Sequence, residues 1–153
     1  MKIFFSFFLL ILSFNLTSHE FNPAHLIIDQ SDDNQNRYDA TWMYPVKNIG
    51  KRADVIFPNM CNSNGSDPFV QGKYIIEKIS LECNESIKGK FIEIINLSVL
   101  TDALVTINFN EDTFEGLINV QKNKIEIPLV DQYYPTAYLY LGVGHLFDGL
   151  DHI

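Results

Sequence analysis

Four residues near the C-terminus have the types and spacing for metal chemistry. On a helix turning about 100° per residue, Gly142, His145, Gly149 and His152 fall within about 80° of one another. Glycines on such a stripe let another backbone come close, and histidines beside them are then buried against it. Asp148 lies three residues after His145 and four before His152, so it can approach either. Asp151 points about 120° away from His145 and serves a different neighbour. Imidazole and carboxylate are both metal ligands. The two histidines, however, are about 10.5 Å apart along a helix rising ~1.5 Å per residue. One ion needs ligand atoms at roughly 2.0–2.1 Å, so on a straight helix they cannot share it without ligands from other elements.

The stripe needs a helix, and residues 131–153 are expected to supply one. Val130–Tyr134 reads as a hinge, and Pro135 suits the first turn of a helix. Tyr133, Tyr134, Tyr138 and Tyr140 cluster where a helix would meet a membrane interface. At the other end, Lys2 precedes an apolar run from Ile3 to Phe14 and a short polar exit at 15–18. That is the anatomy of a signal peptide, residues 1–18, too short for a comfortable membrane span. Cleavage after Ser18 would make His19 the new N-terminus. Its α-amino group and imidazole together could chelate copper or nickel. An exported chain with two cysteines, Cys61 and Cys83, is expected to pair them in a disulfide.

The motif G-x-x-H-x-x-x-G-x-D-H, formed by Gly142, His145, Gly149, Asp151 and His152, resembles the signature that opens the membrane domain of the HupE/UreJ family. These are hydrogenase- and urease-accessory membrane proteins linked to nickel. The likeness extends along the chain: a signal peptide, a mature start with His19 and Pro23, a β-rich domain with Cys61 and Cys83, and Thr101–Val105. The resemblance implies an extracytoplasmic, periplasmic β-domain joined to a cell membrane through its C-terminal helix. It also implies a non-enzymatic role in nickel transport or metallocentre assembly. The family continues through further membrane helices after the motif, so this sequence is expected to be truncated, with only the first helix begun.

Between these ends, residues 19–130 read as an all-β domain. In Arg37–Tyr44, residues Tyr38, Ala40, Trp42 and Tyr44 alternate with Arg37, Asp39, Thr41 and Met43, which makes Trp42 a core anchor. Ala103, Val105, Ile107 and Phe109 alternate likewise. Further strands are expected over 24–29, 53–57, 74–82, 90–95, 113–120 and 124–128. Residues 59–68, rich in Asn, Ser, Gly and Pro, read as the longest irregular loop, with Cys61 inside it. About eight short strands with no long amphipathic helix between them predict an antiparallel β-sandwich. His25, within the first strand, reads as structural.

Composition narrows the function. The formal charge of −8, with Lys2 the one charged side chain in the leader, leaves an acidic domain without a basic stripe. Nucleic acid and anionic lipid headgroups are therefore poor partners. No nucleophile elbow, phosphate loop or H-E-x-x-H motif occurs. Two readings remain: the metal-linked membrane protein, and a secreted β-sandwich binding module whose loops recognise an unknown protein while the C-terminal helix is a vestige. No cofactor is implied beyond a nickel or copper ion.

Overall fold

The computed structural model describes residues 22–47, 52–99 and 101–129, together with the isolated positions Leu139, Gly142 and Val143. The expected signal peptide lies outside these residues, as does the expected C-terminal helix apart from those three positions. Ten strands are present: β1 Ala24–Gln30, β2 Arg37–Pro45, β3 Asp54–Ile56, β4 Cys61–Gly65, β5 Phe69–Gln71, β6 Tyr74–Cys83, β7 Phe91–Ile95, β8 Ala103–Asn108, β9 Thr113–Ile118 and β10 Lys124–Glu126. A seven-stranded sheet runs in the order β4-β6-β2-β1-β8-β9, with β5 also paired to β6, and a three-stranded sheet runs β10-β7-β3.

Alternation along each strand builds one core between the two sheets. Tyr38, Ala40, Trp42 and Tyr44 of β2 are all buried, as are Leu26, Ile28, Val105 and Ile107 of its neighbours. They meet Ile92 and Ile94 of β7 and Ile125 and Ile127 from the small sheet in a single cluster. Successive strand residues face opposite ways, so hydrophobic alternation alone selects which face becomes core. Trp42 also donates its Nε1–H to the Ala53 carbonyl at 3.1 Å, tying β2 to the start of β3. The indole stacks on Tyr44, with centroids 6.0 Å apart. Tyr38, equally buried, accepts a hydrogen bond on its hydroxyl from the Ile87 amide at 3.5 Å.

Two expectations are corrected. The segment 59–68 contains strand, not only loop: β4 pairs with β6 from Cys61↔Cys83 to Gly65↔Ile79. Cys-Asn-Ser-Asn-Gly has poor strand propensity, and it is β-structured because β6 offers it an open edge while Cys61 and Cys83 bond across the pair. β5 is also paired to that edge, joined to β6 by a two-residue turn whose Gly72 takes φ +62. The sheet is also not wholly antiparallel. β1 and β8 run parallel, Ala24↔Ala103 to Asp29↔Asn108. Parallel neighbours need a long crossover, and here everything from β2 to β7 supplies it. The remaining pairings are antiparallel.

Candidate functional site

The disulfide expected between Cys61 and Cys83 is present, joining residues 22 apart in sequence. Of the expected metal ligands, His19, His145, Asp148, Asp151 and His152 lie outside the described residues, as does Gly149. Gly142 is described, and an added Cβ there would meet none of the described residues within 4 Å. Among the described residues no group of three His, Cys, Asp or Glu side chains could hold a metal ion. No described helix is long and apolar enough to cross a membrane.

His25 is the described histidine, and its surroundings are those of a packed side chain. Its ring meets Tyr74 edge-on at 5.9 Å, and burial lowers its pKa below the usual imidazole value. Desolvation disfavours the charged ring, so the neutral form is favoured where it sits. Neutral imidazole is the ligating form, but His25 belongs to no group of three or more potential ligands among the described residues.

Among the surface depressions of the described β-domain, two differ in chemistry. One lies across the solvent face of the large sheet, where β2, β4 and β6 run side by side. Asp39, Ser80 and Asn64 are cross-strand partners there, with Thr41 and Lys78 beside them. The Ser80 hydroxyl donates to Asp39 at 3.1 Å, and in the same cross-strand row Asn108 donates to Asp29 at 2.7 Å. Each carboxylate already has a neutral donor, so the face is a hydrogen-bonded polar surface. Among the described residues no buried side-chain nitrogen or oxygen lacks a partner.

The second depression, about 620 Å³, lies beside the small sheet. Its floor is apolar: Ile56 and Phe91 project on the face opposite the core and stay 42% and 45% exposed, with Phe57, Pro58 and Met60 alongside. Charges rim it. Lys124 Nζ lies 4.3 Å from the centre of the Phe91 ring, and Lys90 pairs with Glu85 at 2.6 Å. A cation over an aromatic face with aliphatic neighbours suits recognition, since amphipathic side chains can cover the ring and still stay hydrated. It holds no nucleophile–base pair. The alternation in Lys90–Ile95, with Ile92 and Ile94 inward, already places Phe91 outward. The sequence has no signal that brings Pro58 and Met60 beside it.

No protein-family model matches the chain, and no curated protein matches its sequence.

Proposed function

We propose that this chain is an exported β-sandwich domain followed by the opening of a membrane domain similar to that of HupE/UreJ proteins, with a non-enzymatic role in nickel transport or metallocentre assembly. The observation that carries the reading is the motif of Gly142, His145, Gly149, Asp151 and His152, placed directly after a β-rich domain. The Cys61–Cys83 bond supports it, because structural disulfides persist in oxidising compartments such as the periplasm. On this reading the domain is extracytoplasmic and the C-terminal residues engage the membrane. His145 and His152 ligate the ion together with groups from neighbouring helices, because seven residues of helix hold them too far apart to share it alone. Asp148 or Asp151 assists, and His19 offers a separate amino-terminal chelate.

The test is calorimetric nickel titration in detergent, comparing the 153-residue chain with a version extended by the membrane helices that follow the motif in HupE/UreJ-like proteins. The extended version should bind tighter, and His145→Ala or His152→Ala should abolish the gain. Equal affinity in both lengths, unchanged by either substitution, reduces the stripe to helix packing.

A second reading rests on the apolar depression beside the small sheet, where two large side chains, Ile56 and Phe91, stay open to solvent. There the domain is a binding module for another protein. Residues 19–130 alone would then retain full partner capture, and Phe91→Asp would weaken it.

A further inference from the structure

Three Asn-x-Ser triplets occur among the described residues: Asn64-Gly65-Ser66, Asn84-Glu85-Ser86 and Asn96-Leu97-Ser98, none with proline in the middle. Asparagine in this pattern accepts N-linked sugar when an exported chain presents it at the surface. The transferase must draw the acceptor amide and the hydroxyl two residues on into one groove. The triplet therefore has to leave whatever pairing and packing the fold imposes on it. The fold separates the three on that ground. Asn64 and Gly65 belong to β4 and pair with Ser80 and Ile79 of β6. Ser66 is tied down as well, its amide donating to the Lys78 carbonyl at 2.8 Å and its Oγ accepting from the Lys78 amide at 3.3 Å. In the third triplet, Leu97 packs against the core, Ser98 is half-buried, and the Ser98 carbonyl accepts from the Thr101 amide at 3.0 Å.

We propose that Asn84 is a site of N-linked glycosylation. Asn84, Glu85 and Ser86 are all exposed and lie outside the strands, directly after β6 ends at Cys83. Fixed points on either side carry the triplet. Cys83 is bonded to Cys61, its amide donates to the Asn36 carbonyl at 2.9 Å, and the Asn84 backbone amide donates to the Met60 carbonyl at 3.1 Å. At the other end Gly89, with φ +73, donates its amide to the Ile127 carbonyl at 2.7 Å. Between them the side chains are held only locally. Ser86 Oγ accepts from the Lys88 amide at 3.3 Å, and Glu85 pairs with Lys90 on the surface, where such a pair costs little to open.

Charge marks the same triplet. Glu82 lies two residues before Asn84 and stays 66% exposed while paired with Arg37, so a basic groove on the transferase has a carboxylate to hold. Asn64 and Asn96 have Asn62 and Ile94 at that place. In the step itself, Nδ2 of Asn84 attacks the anomeric carbon of an oligosaccharide carried on a polyprenyl diphosphate. The bond from that carbon to the diphosphate oxygen breaks, the polyprenyl diphosphate leaves with the electron pair, and the nitrogen gives one proton to a base of the transferase. Glu85 lines the apolar depression beside the small sheet, so the sugar chain begins at its rim. The inference rests on the export part of the proposed function and not on nickel.

The experiment expresses the full chain in cells that export proteins and hold an oligosaccharyltransferase with its polyprenyl-diphosphate donor. A parallel version carries a leader of established export in place of residues 1–18. Intact mass and glycopeptide mapping should find sugar on Asn84 in both, with Asn64 and Asn96 bare. Ser86→Ala should abolish the modification and Ser86→Thr should retain it, which separates loss of the acceptor pattern from loss of fold. Sugar on Asn84 only behind the substituted leader supports the site and overturns export by residues 1–18. A bare Asn84 in exported, disulfide-bonded chain, or equal occupancy of Asn64 or Asn96, overturns the proposal.

Discussion

Trp42 shows how much one side chain can fix. Its ring fills the space between the sheets, and its Nε1–H satisfies the Ala53 carbonyl. Trp42→Phe keeps an aromatic ring but leaves that carbonyl without its donor. Chemical denaturation should show a loss of about 1–3 kcal/mol, the cost of a buried polar group left unpaired. His25 gives a test in pH. Burial holds its folded pKa below the unfolded value of 6.5, so the unfolded state takes up the proton first as pH falls. The resulting stability is present above the unfolded pKa and is lost as pH falls through the folded one. Unfolding midpoints should therefore drop between neutral and mildly acidic pH, and His25→Gln should remove that part of the drop. An imidazole titrating at or above 6.5 by NMR would refute the argument. Both residues were legible in sequence: Trp42 from strict alternation, His25 from its place in a strand.

At the scale of elements, β4 and β9 teach opposite lessons. β4 has almost no local reason to be a strand and depends on its partner. Opening Cys61–Cys83 by Cys83→Ser should cost about 3 kcal/mol in the chain-entropy account of a loop this long. Loss of β4 pairing should accompany it, seen as faster amide exchange over 61–65 than over 103–108. Alkylation of the native protein should find no free thiol. β9 lies at the other edge of the large sheet and approaches the small one at Gly116. A Cβ placed there would stand 2.0 Å from Ile125 Cδ1, and Ile125 is itself buried. Gly116→Val should therefore destabilise by about 1–3 kcal/mol through overpacking, measured by denaturant titration. Neither effect can be read from the one-dimensional pattern. Asn, Ser and Gly signal a turn unless a partner strand claims them, and a glycine's crowding depends on which strand crosses it.

For the whole molecule, the signal-peptide pattern of residues 1–18 is the basis of a proposal about export and mature length. Exported protein should begin at His19, checked by N-terminal sequencing, and a chain still starting at Met1 would remove the amino-terminal chelate. The β character of the described domain, the central strands and the inward residues of β2 and β8 were determined by the sequence itself. Period-two alternation of apolar side chains has one stable outcome when one face must be dry. The Cys61–Cys83 pairing matches the expectation drawn from two cysteines in a chain read as exported. The motif of Gly142, His145, Gly149, Asp151 and His152 was legible as chemistry, and its residues other than Gly142 lie outside those described. The parallel partnership of β1 with β8 was decided only by the tertiary structure. So were the division into seven and three strands and the conversion of 61–65 from loop to edge strand. Each depends on residues far apart in sequence becoming neighbours. Alternation specifies which way a side chain faces, whereas the identity of the strand beside it comes from burying the largest area with every interior hydrogen bond made.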